Sequence, residues 1–248
     1  MTTQARQVAL ITGAGRNIGR AVAIGLAGDG LDVVINGSAD RAAAEAVAAE
    51  ARSLGVQALV AMGDVGSRDE CVRIAAEALA AFGRVDVLVN NAALRPQKPF
   101  LEIGAADWAR VMAVDLEAAV WLSQALLPGM VDRGWGRIVN FTGMNAIQGY
   151  SGRAPVSVAK HGIWGLTKSL AKEFGSKGVT VNAISPGPIA ADDDEPGVHT
   201  HRHDSIPKVP VGRMGTPAEV AAVVRMLVGE GGAYVNGQML QVNGGAET

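Results

Sequence analysis

Residues 8–19 read VALITGAGRNIG, and the fold turns on this stretch. Val8, Ala9, Leu10 and Ile11 form an apolar run without alternation, which a strand needs when a parallel sheet is covered on both faces. Gly13, Gly15 and Gly19 follow at a turn, and from Ile18 the apolar spacing becomes helical. Glycines there let a backbone approach a pyrophosphate, whose charge is favoured at a helix amino terminus. Taken alone, the same residues also suit a tight strand–helix corner with no ligand.

The alternation continues outward from this unit. Strands are predicted at 8–12, 32–36, 57–62, 86–90, 137–141, 179–184 and 239–242. Helices are predicted at 18–28, 39–54, 68–82, 108–133, 156–175 and 216–228. Buried strands separated by helices imply an α/β fold: one doubly wound, Rossmann-type domain over residues 1–248. A parallel sheet of about seven strands carries helices on both faces, with ligands at the carboxyl ends of its strands.

Bulk properties narrow the function classes. The net charge is −2 with both signs interspersed, so no basic footprint points to nucleic acid or to a membrane surface. The single cysteine, Cys71, has no internal disulfide partner and suits a reducing, cytoplasmic compartment. Its amphipathic surroundings favour a packed thiol over a nucleophile. The first twelve residues hold too short an apolar run for a signal peptide, and no later stretch is expected to span a bilayer.

Further motifs follow the strand ends in order. Gly63-Asp64-Val65 follows the third strand and Asn90-Asn91-Ala92-Ala93 the fourth. Lys160 lies in a helix, and Ser185-Pro186-Gly187-Pro188-Ile189 follows the sixth strand. Together with Thr12-Gly13-Ala14-Gly15-Arg16-Asn17-Ile18-Gly19, this series resembles the short-chain dehydrogenase/reductase family over essentially the whole chain. Asn17 replaces the middle glycine of the family's turn, a mild change because Asn tolerates a left-handed backbone.

The resemblance implies a dinucleotide held by Gly13, Gly15, Arg16, Asn17, Ile18, Gly19, Asp64, Val65, Asn91, Ala92, Lys160, Pro186, Gly187 and Ile189. In the family an aspartate closing the second strand selects NAD; Asn36 is assigned to that place here. Arg16 matches a basic residue found in NADP users, and Ser38 or Arg41 would add to a 2′-phosphate site. NADP is therefore expected over NAD, although Arg16 and Arg41 also suit a solvated surface.

The catalytic half departs from the family. Tyrosine is expected four residues before the lysine and serine thirteen before that tyrosine, yet the chain has Val156 and Gly143. The asparagine of the long helix is Asp115, and the threonine after the PG segment is Ala191. Lys160 alone is kept. Losing a general acid costs roughly 10²–10⁴-fold in rate. Candidate replacements are Tyr150, read as an acid or as an aromatic wall of the pocket, and Asp115. Asp115 would pair with Lys160 as a ribose anchor, a coupled acid–base pair or a structural salt bridge. Thr142 is expected to point away and His161 to pack or cap.

Residues 190–208 form an irregular polar segment, read as a substrate lid. Asp192, Asp193, Asp194, Glu195, His199, His201 and His203 invite a metal there, but no metal site is assigned without ligands elsewhere. The expected function is reduction or oxidation of a small carbonyl, alcohol or imine by NADP(H) or NAD(H). The alternatives are a non-redox lyase, isomerase or hydrolase on this scaffold, or a cofactor-binding pseudoenzyme. An iminium carbon already carries positive charge and needs no proton as hydride arrives, so it suits the altered site best. The resemblance also implies a homodimer or homotetramer, joined through the long helix, where Ala118, Trp121, Leu122, Ala125 and Leu126 are apolar, and through the Lys160 helix.

Overall fold

The computed structural model describes residues 6–191 and 209–247. Among them, β1 (Val8–Ile11), β2 (Asp32–Gly37), β3 (Ala58–Met62), β4 (Val87–Asn90), β5 (Gly136–Phe141), β6 (Val179–Pro186) and β7 (Met239–Val242) form one sheet. The order is β3-β2-β1-β4-β5-β6-β7 and every pairing is parallel. Strand order reverses between β1 and β4, which opens a crevice at their carboxyl ends.

Among the described residues the α-helices are α1 (Asn17–Gly28), α2 (Arg41–Ser53), α3 (Arg68–Phe82), α4 (Ala105–Met112), α5 (Ala118–Asp132), α6 (Ala154–Phe174) and α7 (Pro217–Val228). Successive strand side chains face opposite ways, so each strand feeds two cores. Ile11 and Ile35 pack with Leu26, Val47 and Val224 of α1, α2 and α7. Leu10 and Leu88 pack with Ile74, Leu122 and Met130 of α3 and α5. Helix starts are set locally: Asp40 accepts from Ala43 N at 2.9 Å, and Thr216 and Glu219 cap each other across the first turn of α7.

The helix predicted over 108–133 begins earlier and is broken. A π turn, Ala113–Glu117, separates α4 from α5 and contains Asp115. Such turns insert one residue and re-aim the side chains within them. Ala105–Asp132 as a whole is long and apolar enough, by length and composition alone, to cross a bilayer, but half of the tested span is buried inside the fold, as in a core helix. The apolar face expected to pair helices is largely spent as well: Ala118, Leu122 and Leu126 join the core, leaving Trp121 and Ala125 at its rim. Arg68 lies over the Trp121 ring.

Candidate functional site

The carboxyl ends of β1 and β4 are locked together. Thr12 Oγ1 accepts the backbone N–H groups of Asn91 and Ala92, each at 3.0 Å. Asn91 Nδ2 in turn donates to Thr12 O at 2.9 Å and Gly13 O at 3.0 Å. This draws the turn so tight that a Cβ on Gly19 would stand 2.1 Å from Gly13 O. Gly13 and Asn17 take left-handed φ values of 61° and 49°. At Gly15 a Cβ would meet only ordinary contacts, the nearest Ala43 Cβ at 3.6 Å. The turn leads into α1 with Gly15, Arg16, Asn17 and Ile18 at least partly accessible, a cradle that fits a pyrophosphate.

Asn36 is buried, and its Nδ2 donates to Ala61 O at 3.0 Å and Gly63 O at 3.1 Å. It braces the carboxyl end of β2 against β3, and its Oδ1 accepts the Gly13 N–H at 3.5 Å, which sets the side chain beside the glycine turn. Gly37 closes the strand, where a Cβ would find only ordinary contacts with Met62 and Ala44. Neither position carries a carboxylate. Ser38 and Arg16 are exposed nearby, whereas Arg41 faces Glu45 at 3.7 Å. Val65 is buried beside Asp64, whose oxygens hold Gly66 N at 2.9 Å and Arg110 at 2.9 Å.

Lys160 is 4% exposed on the second turn of α6. Its ammonium donates to Phe141 O at 3.0 Å and faces Asp115 Oδ2 at 3.5 Å. Burial pushes the lysine pKa down and the Asp115 pKa up, and each partner's charge opposes the other's shift. Asp115 Oδ1 accepts Leu94 N–H at 2.6 Å. The π turn thus aims one carboxylate at two targets, the lysine and the loop after β4. A ladder from Asn90 through Asn140 to Thr167 (2.8 and 3.0 Å) ties β4, β5 and α6 together and fixes the lysine's helix. Asn140 was not singled out from sequence, although a lone amide inside an apolar strand was a visible signal.

Val156 is fully buried and packs with Val111 and Ala159. Gly143 has φ 113° and ψ 170°, with open space where a Cβ would stand. Thr142 Oγ1 donates to Ile184 O of β6 at 3.0 Å. Tyr150 is exposed; its hydroxyl accepts from Gln148 Nε2 at 2.8 Å, and its ring walls a surface cleft with Phe100 and Pro99. His161 Nδ1 lies 2.8 Å from Ser157 O of the preceding turn. At the PG segment, Gly187 packs so closely on Asn243 that a Cβ would come within 2.6 Å of its Cα. Pro186 ends β6, and Ile189 bridges to Gly215.

A second cleft of about 380 Å³ opens beside Leu94, Arg95, Val111 and Pro155. Arg95 also escaped the sequence reading, although it lies two residues beyond Ala93 at the strand's carboxyl edge. Cys71 is buried, and its thiol, pushed up to about 11 by burial, donates to Val65 O. Among the described residues no cluster of three metal-ligating side chains occurs. Asp192, Asp193, Asp194, Glu195, His199, His201 and His203, and with them most of the expected lid, lie outside the described residues.

The chain is similar to known proteins over nearly its whole length. A family model described as enoyl-(acyl carrier protein) reductase matches residues 13–247. The 3-oxoacyl-[acyl-carrier-protein] reductase of Synechocystis sp. is 39% identical over 99% of this chain and 98% of its own. The acetoacetyl-CoA reductase of Allochromatium vinosum is 37% identical over 96% and 98%. A Beutenbergia cavernae structure assigned as an NAD(P)-dependent gluconate 5-dehydrogenase, with NADP bound at low occupancy, superposes with a TM-score of 0.90. It is 36% identical and the match covers 98% of this chain and 97% of that one.

Proposed function

The chain belongs to the short-chain dehydrogenase/reductase family of NAD(P)-dependent oxidoreductases, and from that premise we propose that it uses NADPH to reduce an imine-type carbon. The observation that carries the reading is what surrounds Lys160. Among the described residues its ammonium meets a backbone carbonyl and a carboxylate, while the tyrosine position is a packed valine. A ketone needs a proton on oxygen as it is reduced; a protonated imine already carries its own. When bound, a reduced nicotinamide would supply the hydride that converts C=N⁺ to CH–N.

The chain's own residues then have distinct tasks. Gly13, Gly15, Asn17, Ile18 and Gly19 receive the pyrophosphate, with Asn91 and Ala92 holding the turn in shape. Asp64 and Val65 face the adenine side; Pro186, Gly187 and Ile189 close the nicotinamide side. Lys160 anchors the nicotinamide ribose, and Asp115 keeps that lysine charged while holding the loop after β4 through Leu94 N–H. Tyr150 is assigned to a wall and not to proton transfer. NADP is favoured over NAD because neither Asn36 nor Gly37 supplies a ribose-binding carboxylate and Arg16 is exposed at the start of α1. A cytoplasmic homodimer or homotetramer, with residues 190–208 closing over the substrate, completes the reading.

The test is steady-state oxidation of NADPH with a cyclic imine and a ketone of the same carbon skeleton. The imine is expected to turn over faster by tenfold or more, within the roughly 10²–10⁴-fold value of a missing general acid. Faster ketone reduction would overturn the assignment.

A further inference from the structure

We propose that Arg110 is a positioning residue for the nucleotide: it holds the Asp64 carboxylate in the orientation that receives the amino group of the adenine base. This rests on the placement of Asp64 on the adenine side and is independent of the imine chemistry.

Asp64 stands two residues beyond the end of β3, whereas Arg110 lies in α4. Each oxygen of Asp64 is engaged separately: Oδ1 accepts Gly66 N–H at 2.9 Å, and Oδ2 faces Arg110 Nη1 at 2.9 Å. The last torsion of an aspartate is soft, so one bond leaves the carboxylate free to turn, while two donors from two segments fix it. Gly66 makes this approach possible. A Cβ there would stand 2.1 Å from Arg110 Nη1 and 2.8 Å from Val114 Cγ2. The guanidinium therefore lies directly across the glycine whose N–H holds the other oxygen.

Stability does not account for the pair. Both side chains are close to half exposed, and an ion pair in that setting adds little to a fold. Nor is it one link in a wider network: Lys98 faces Asp107 and Arg73 faces Glu70, each at 2.6 Å, so the neighbouring charges have partners of their own. Among the described residues, Asp64 is the one acid within ion-pair reach of Arg110. What the pair preserves is an oriented acceptor. Burial acts to raise the Asp64 carboxyl, but the Gly66 N–H and the Arg110 guanidinium outweigh it and hold the group below its ordinary value. The carboxylate stays ionised at neutral pH, accepts without donating, and keeps lone pairs beyond the two that are bound. The amino group of adenine is a donor that matches it.

The experiment is calorimetric titration with NADP⁺ and with its analogue in which purine replaces adenine, so that only the amino group is lost. Wild type is expected to bind NADP⁺ about tenfold more tightly or better, the value of one hydrogen bond to a charged group. Asp64→Ala and Arg110→Met should each bring the two ligands within about twofold. Arg110→Lys, which restores a cation without the planar fork, should keep a preference of about threefold. Melting temperatures of both Arg110 variants should stay within about 3 °C of wild type, because an exposed pair shifts them little. A preference that is lost in Asp64→Ala but survives in Arg110→Met would overturn the role of Arg110 and leave the placement of Asp64 standing. No preference in wild type, or one that survives Asp64→Ala, would overturn that placement and the proposal with it. Loss of preference in Arg110→Met together with a large fall in melting temperature would assign the pair to the fold instead.

Discussion

Lys160 and Asp115 form an ion pair at 3.5 Å in which both side chains are almost wholly buried. A pair this enclosed does little for net stability while intact, yet removing one partner leaves a stranded charge at about 3–5 kcal/mol. Lys160→Met should therefore destabilise the fold by roughly that amount in urea titration. The sign with pH is fixed by the survivor. Without its lysine, Asp115 has a folded pKa raised further by burial, so stability is retained below its ordinary value and lost as pH rises through the folded one. The deficit should be larger at pH 8 than at pH 5. Adding Asp115→Asn, which keeps an oxygen for Leu94 N, should recover most of it.

Restoring the family's serine should fail for a backbone reason. At φ 113° and ψ 170°, Gly143 occupies a region that side chains of L-residues avoid, at about 1–3 kcal/mol. Open space where its Cβ would stand means that strain, not a clash, sets the cost. Gly143→Ser and Gly143→Ala should lose nearly equal stability. A serine variant as stable as wild type would show that the loop relaxes freely.

Much of this was legible in the chain. Every expected strand formed within two residues of its predicted ends, because continuous apolar runs such as Val87–Asn90 leave little choice of register. The pairing of Asp115 with Lys160 could also be read from the chain. What could not be read was orientation. Asn36 was assigned to a ribose place, and its bonds to Ala61 O, Gly63 O and Gly13 N–H, which brace β2, β3 and the glycine turn, have no signal in the strand pattern. The π turn at Asp115 has no signature in the helix pattern, and the cleft beside Leu94 is assembled by three separate segments.

The cap of α7 supplies a pH test away from the site. Glu219 is drawn down to about 2, first by the Arg213 guanidinium and then by the Thr216 N–H. A depressed acid contributes stability above its unfolded value, near 4.5, and loses it as pH falls toward the folded one. The gap between wild type and Glu219→Gln should close between about pH 4.5 and 2, whereas Thr216→Ala should cost about 1 kcal/mol near neutrality. Thermal melts across pH 2–7 read both effects.

The glycine turn separates two roles that a sequence motif merges. At Gly19 an added methyl collides with Gly13 O and Asn91 Nδ2, the two groups whose bond holds the turn closed. Gly19→Ala should therefore cost about 1–3 kcal/mol of stability in the free protein, as overpacking does. At Gly15 the same methyl meets only ordinary contacts, so the free protein should tolerate it. Its penalty should appear only when NADP is added, because the backbone there is needed bare for the phosphates to approach. Calorimetric titration should show weakened nucleotide binding in Gly15→Ala with an unchanged melting temperature. Equal nucleotide affinity in Gly15→Ala and wild type would place the pyrophosphate elsewhere on the turn, and unchanged stability in Gly19→Ala would mean that the Asn91 clamp yields to the added carbon.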